Sequence, residues 1–314
     1  MREITIFSGS AHVELAREIC HHLEVPLSPT TIRRFGNDCL HVQLNANCRE
    51  SDVFLIQPLV PPVQDHLMEL LLMLDAARGS SAARTTAVIP YYAYARSDKK
   101  DTSRISIAGR LVADLLATAG ANRVLVMTLH ASQVHGFFSV PTDHLNALNV
   151  LAQHFRNRDL SNTVVVSPDL GNAKAASHFA RLLKVPVAAG SKRRVDDNKV
   201  IIDTIVGDVE GRDVIVIDDE IANGGTIIEI LDRLRERNVR RISVACTHGV
   251  FSGKAIERLG SQEDIDEIVA TNTVPIPEEK RLPNMTVISM APLLSETIRR
   301  IHNGESVSSL FADA

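Results

Sequence analysis

VIVIDDEIANGGTIIEIL, residues 214–231, decides how this 314-residue chain is read. Its first four residues, all β-branched and apolar, have the continuous character of a parallel strand buried on both faces. The strand is expected to end in the acidic pair Asp218 and Asp219. Small residues at 222–225 then lead into a helix predicted from about Thr226. Glycine lets backbone N–H groups approach a ligand closely. The first helical turn adds unpaired donors at the positive end of the dipole. Asn223, Gly224, Gly225 and Thr226 therefore suit a phosphate monoester, and the two carboxylates suit vicinal sugar hydroxyls. One loop can thus hold both ends of ribose 5-phosphate, at the carboxyl end of a strand, where open α/β sheets bind ligands. Taken alone, DD followed by GG fits equally well a strand-to-helix turn in which the carboxylates only cap structure.

Outward from this loop, short β-branched runs alternate with helix-period segments. Strands are predicted at 4–7, 53–57, 86–90, 123–128, 163–167, 213–217 and 242–246. Helices are predicted at 13–23, 65–77, 106–118, 173–183 and 226–237. Such alternation implies βαβ units and parallel sheets. The rhythm breaks near Pro141 and restarts, which predicts two α/β domains, 1–144 and 145–314. The end of the chain reads as a helix from Ala291 and the tail SVSSLF. That tail either packs back on the first domain or frays.

Composition narrows the function. With 34 basic and 38 acidic residues the formal net charge is −4, so neither nucleic acid nor a membrane surface is an expected partner. Aromatics are only 4% and Trp is absent, which disfavours base-stacking platforms. Cys20, Cys39, Cys48 and Cys246 form no CxxC pair, so reduced thiols rather than a zinc cluster are expected. The opening MREITIFSGS lacks a basic region leading into an apolar run, which argues against a signal peptide. A cytoplasmic protein is expected.

Several other segments carry chemistry. Residues 94–104 place Arg96, Lys99, Lys100 and Arg104 around Asp98 and Asp101. Such a loop can clamp a triphosphate, although charged runs are more often solvated surface. His130 follows a predicted strand, and a lone histidine is usually structural. Asp169 in VSPD, at the end of a predicted strand, reads by itself as a helix cap before the segment beginning near Asn172. Lys192 and Arg194 stay charged near neutral pH and can stabilise a transferring anion; with Arg193 they also read as a surface cluster.

YARSDKKDTSRISIAGRLVADLLATAGANRV, LHASQVHGFF, VSPDLGNAK and KRR occur in that order. With the 214–231 loop they resemble the ribose-phosphate diphosphokinases over nearly the whole chain. The resemblance implies an α/β fold of two type I phosphoribosyltransferase-like domains, each a central, mainly parallel sheet flanked by helices. It implies transfer of a diphosphoryl group from ATP to the C1 hydroxyl of ribose 5-phosphate, with Mg2+ as cofactor. By position, Lys192 and Arg194 are the catalytic pair. Phe35, Asn37, Arg96, Lys99 and His130 bind ATP, the first two from a neighbouring subunit. Asp218, Asp219, Asn223, Gly224, Gly225 and Thr226 bind ribose 5-phosphate, and His130 and Asp169 lie at metal sites. Arg49, Ser132 and Ser308 match a site of control by phosphate and ADP. Bent homodimers, commonly assembled into hexamers, are implied as well.

The chain departs from the family pattern at specific positions. The loop reads DDEIANGGT where DDxxDTAGT is usual, so Ala222 replaces an aspartate and Asn223 a threonine. Thr128 and Cys39 stand at usually acidic positions, Asn47 at a common serine and His135 at a common glutamine. These departures leave open a non-catalytic paralogue that binds nucleotide or ribose phosphate. A phosphoribosyltransferase using the same loop is the third alternative.

Overall fold

A computed structural model describes the backbone of residues 3–196 and 199–310, and their side chains except those of 192–203. The chain divides into two units. The first comprises residues up to Asn146, Thr273–Pro275, and the segment from Ser289 onward; the second comprises Ala147–Asn272 and Ile276–Ile288.

In the first unit the order is β1 (Ile4–Ser8), α1 (Val13–Leu23), β2 (Leu27–Ser28), β3 (Thr30–Arg34), β4 (Leu40–Leu44), β5 (Asp52–Ile56), α2 (Val63–Gly79), β6 (Arg84–Ile89), α3 (Ala108–Ala119), β7 (Arg123–Met127) and β8 (Thr142–Leu145). Six strands form an all-parallel sheet in the order β2-β1-β5-β6-β7-β8. The inner strands are apolar because both their faces are covered, and every residue of β5 is buried. Helix α1 buries Leu15, Ala16, Ile19 and Cys20, one stripe of a 3.6-residue period, and ends at Glu24 in the left-handed conformation. Strands β3 and β4 form a separate antiparallel hairpin.

The second unit contains α4 (Leu148–Phe155), β9 (Thr163–Ser167), α5 (Ala173–Leu183), β10 (Val187–Asp196), β11 (Lys199–Val206), β12 (Asp213–Ile221), α6 (Gly225–Arg235), β13 (Arg241–Gly249), α7 (Ala255–Gly260), β14 (Ile265–Thr271) and β15 (Met285–Ile288). Its seven-stranded sheet runs β11-β10-β9-β12-β13-β14-β15, with β11 the one antiparallel member. Val164, Val166, Val214, Val216, Val244 and Ile268 form the centre of its core with Ile227, Ile230 and Leu234 of α6.

Helix α8 (Ala291–Asn303) belongs to the first unit, although its sequence position places it at the end of the predicted second domain. It packs on α1. Arg84 donates to Asp52 and to the Ile301 carbonyl (2.8 Å), and His302 Nδ1 donates to Asp52 (2.9 Å). Asp52 is only 1% exposed, so these donors satisfy a carboxylate that water does not reach.

Candidate functional sites

Asp218 and Asp219 sit inside a strand rather than at its end. Strand β12 continues to Ile221 because β13 continues beside it, pairing Asp218 with Cys246 and Glu220 with His248. The chain then turns through Ala222, Asn223 and Gly224 into α6. Gly224 takes φ +75°, a left-handed conformation open to glycine at little cost. Asn223 Oδ1 accepts from the Gly225 amide at 2.9 Å, closing the turn from within.

The carboxylates are electrostatically coupled. Burial pushes the Asp218 carboxyl well above the usual carboxylate range, and the neighbouring charges of Asp219 and Asp169 push it further. The Asp219 amide donates to Asp218 Oδ1 at 3.0 Å. Asn172, the residue preceding α5, joins two loops. Its Nδ2 donates to the Ile217 carbonyl (3.0 Å) and to Asp218 Oδ1 (3.4 Å), while its amide donates to Asp169 Oδ1 (3.1 Å). Asp169 Oδ1 thus closes the turn ahead of α5, whose cap residue is Asn172 rather than Asp169, and the charge of Asp169 acts on Asp218. Two residues given no role in the sequence reading, Asn172 and Arg258, support this loop. Arg258 Nη1 donates to the Asn223 carbonyl at 2.9 Å. Asn172 falls within VSPDLGNAK, whereas no local motif announces Arg258. Lys192 and Arg194 lie in β10, and their side chains are outside the described residues.

In the first unit, Arg96 closes a 3₁₀ turn at Ala93–Arg96. Arg96, Lys99, Lys100 and Arg104 are exposed. The base of this loop is tied down: the Gly109 amide donates to the Ser97 carbonyl (3.0 Å) and the Ala108 amide to Ser97 Oγ (3.0 Å). Gln133 in turn donates to Asp98, linking this loop to the segment after β7.

That segment begins under backbone strain. Thr128 has φ +41°, an outlier for a β-branched residue. The turn is held by the Thr128 amide on the Leu145 carbonyl (2.8 Å) and the Leu129 amide on His144 Nε2 (2.9 Å). His130 follows it, exposed. Phe35 and Asn37 lie in the turn joining β3 to β4. Phe35 is 54% exposed, with its ring 5.4 Å from that of His41. Asn37 Oδ1 accepts from the Cys39 amide (3.2 Å).

Among the candidate regulatory residues, the Arg49 amide donates to Asn47 Oδ1 (3.1 Å). Ser132 lines a cavity of about 310 Å³ with His135, Thr142, Asp143 and His144. Ser308 Oγ is 2.6 Å from Ser306 Oγ. Among the described residues, no group of three or more His, Cys, Asp or Glu is arranged to hold a metal ion by itself, and no helix is long and apolar enough to cross a membrane.

Comparison with known proteins bears on both units. Residues 4–120 match the N-terminal domain of ribose phosphate pyrophosphokinase, and residues 193–312 match the phosphoribosyl synthetase-associated domain. A Streptomyces coelicolor protein, provisionally named ribose-phosphate pyrophosphokinase, is 64% identical over 99% of this chain and 98% of its own. The ribose-phosphate pyrophosphokinase of Deinococcus radiodurans is 49% identical over 98% of each chain. The crystal structure of phosphoribosylpyrophosphate synthetase from Mycobacterium smegmatis superposes with a TM-score of 0.91, at 41% identity, covering 96% of this chain and 100% of that one.

Proposed function

The chain belongs to the ribose-phosphate pyrophosphokinase family, and we propose that it moves the diphosphoryl group of ATP to the C1 hydroxyl of ribose 5-phosphate, giving phosphoribosyl pyrophosphate and AMP. The observation that carries this reading is the β12–α6 loop, with two coupled carboxylates leading into a helix N-terminus, in a chain alike to pyrophosphokinases over nearly its full length.

Each residue then takes a role that its chemistry permits. The amides of Asn223, Gly224, Gly225 and Thr226 hold the 5-phosphate. Asp218 and Asp219 accept hydrogen bonds from the ribose hydroxyls. Arg96 and Lys99 hold the triphosphate, and Lys192 and Arg194 stabilise the charge that develops on the diphosphoryl group. His130 orients the nucleotide. The C1 hydroxyl attacks the β-phosphorus and AMP leaves, so catalysis rests on in-line placement and charge neutralisation rather than a covalent intermediate.

Magnesium fits the donor set. Asp169 and Asp219 each raise the Asp218 carboxyl, a strain that a divalent cation relieves. Mg2+ commonly takes one or two carboxylates plus water and substrate phosphates, so an all-protein cage is not required. In the second unit Asp169 would hold one such ion, and in the first unit His130 would lie beside the magnesium of the nucleotide; each ion would supply charge neutralisation of the phosphates. The exposure of Phe35 in the β3–β4 turn supports a reading in which Phe35 and Asn37 meet the adenine of a neighbouring protomer, in bent dimers assembled into a cytoplasmic hexamer. Arg49, Ser132 and Ser308 would then bind phosphate or ADP as regulators.

The test is incubation with magnesium, ATP and ribose 5-phosphate while AMP and phosphoribosyl pyrophosphate are measured. Stoichiometric formation of both is expected, with loss in Lys192→Ala. Failure of the wild type to exceed that variant would reject the reading.

A further inference from the structure

Four consecutive carbonyls of the β12–α6 turn are bound from behind. The Ile221 carbonyl accepts from the Phe251 amide (3.0 Å) and the Ala222 carbonyl from the Ser252 amide (2.9 Å). The Asn223 carbonyl accepts from Arg258 Nη1 (2.9 Å), and the Gly224 carbonyl from the Ile228 amide within α6 (3.0 Å). An anion-binding turn needs its N–H groups toward the ligand and its carbonyls away from it. Three of these four carbonyls are held by backbone donors. The third, at Asn223, is held by a charged side chain from α7, 35 residues downstream.

Phe251 shows that the backing segment is itself shaped for this contact. It has φ +44°, and a Cβ added at Gly249 would lie 2.5 Å from its ring, so a bulkier residue at 249 would displace it. Arg258 is exposed and, among the described residues, has no carboxylate partner, so its charge is not neutralised by the fold. A Cβ added at Gly225 would lie 3.9 Å from Arg258 Nη1, which puts the guanidinium beside the turn.

Resting on the reading of this turn as the ribose 5-phosphate site, we propose that Arg258 is a positioning residue for phosphate recognition. It holds the Asn223 carbonyl away from the bound phosphate and keeps a positive charge beside the turn. A neutral side chain of similar length lets that carbonyl turn toward the anion.

Calorimetric titration with ribose 5-phosphate in the absence of ATP, together with steady-state kinetics, tests this. Arg258→Met should weaken ribose 5-phosphate binding and raise its KM about tenfold, the scale of one charged hydrogen bond. The KM for ATP and the melting temperature should stay near wild type, and Arg258→Lys should restore most of the affinity. Wild-type affinity in Arg258→Met, or an equal rise in the KM for ATP, overturns the assignment. Should that variant unfold, Arg258→Gln carries the same test with the same overturning result. If the wild type itself binds no ribose 5-phosphate, the reading of the loop fails and the role of Arg258 with it.

Discussion

Gly109 offers the sharpest way to separate the fold from the charged loop proposed to hold ATP. It lies in the first turn of α3, against the residues from which the charged loop departs. A Cβ placed there would lie 3.0 Å from the Tyr94 carbonyl oxygen and 3.1 Å from that of Ser97. Both obstacles are backbone atoms, which cannot swing aside as a side chain can. Gly109 also donates its amide to the Ser97 carbonyl (3.0 Å) and accepts from the Tyr92 hydroxyl at its own carbonyl (2.8 Å). Gly109→Ala must therefore push α3 and the Tyr94–Ser97 turn apart by a few tenths of an ångström. Overpacking of this kind costs about 1–3 kcal/mol, and the helix propensity gained by alanine offsets at most about 1 kcal/mol of it. A net loss of about 1–2 kcal/mol should lower the melting temperature by about 3–6 °C in units of this size. The same displacement moves Arg96 and Lys99, so the KM for ATP should rise about three- to tenfold, given how steeply rate follows placement. Tyr92→Phe is the control. It removes the hydroxyl contact at a cost of about 1 kcal/mol but adds no atom, so stability should fall while the KM for ATP holds. Thermal melts and initial rates across an ATP series, at saturating ribose 5-phosphate, read both. Wild-type stability in Gly109→Ala, or lost stability with an unchanged KM for ATP, would refute the reasoning.

Removing the guanidinium in Arg84→Met leaves the Asp52 carboxylate with His302 and the Ile301 carbonyl with only the long contact from the Gly304 amide (3.3 Å). A loss of about 3 kcal/mol or more is expected, read as a lower denaturant midpoint, and Asp52→Asn in the same chain should recover part of it. Asp218 sets a pH dependence of stability in the ligand-free protein. Its folded carboxyl is raised above the ordinary value, so between that value and its own pKa the folded chain binds more protons than the unfolded chain. Stability contributed below that window is lost as pH rises through it. Asp218→Asn should flatten the melting temperature against pH from about pH 4 upward and weaken ribose 5-phosphate binding; an unchanged slope would count against the coupled carboxylates.

Much of the frame was legible because buried parallel strands and amphipathic helices write themselves into apolar periodicity. Helices α1 and α5 and strand β9 fall on the residues that periodicity marks. Strand β12 runs four residues beyond its predicted end, since Asp218, Asp219 and Glu220 are poor strand formers. The pairing that extends it comes from β13, whose Cys246 and His248 lie opposite Asp218 and Glu220, and no local preference encodes that. The β3–β4 hairpin escaped notice because its residues are half-exposed and mostly polar. The docking of α8 depends on Asp52, Arg84 and His302, three residues that mean nothing until the chain brings them together. The contacts of Asn172 depend on the fold in the same way: the residue stands in VSPDLGNAK, but its partners are Asp169 beside it and Asp218 far along the chain.

The departure at Asn223 has a physical cost that can be placed. In the ligand-free turn its carboxamide oxygen occupies the Gly225 amide, one of the donors a phosphate would use. Binding must break that contact, which is worth about 1 kcal/mol. Rotating the carboxamide then turns its Nδ2 donor toward the incoming oxygen, so a bond of similar strength replaces the one lost. The exchange is near neutral in free energy, whereas replacing a glycine here would not be. Gly224 sits at φ +75°, where an L-residue costs about 1–2 kcal/mol before any ligand is considered. The turn therefore tolerates a change of side chain at 223 while keeping glycine at 224, and its capacity for an anion resides in the backbone.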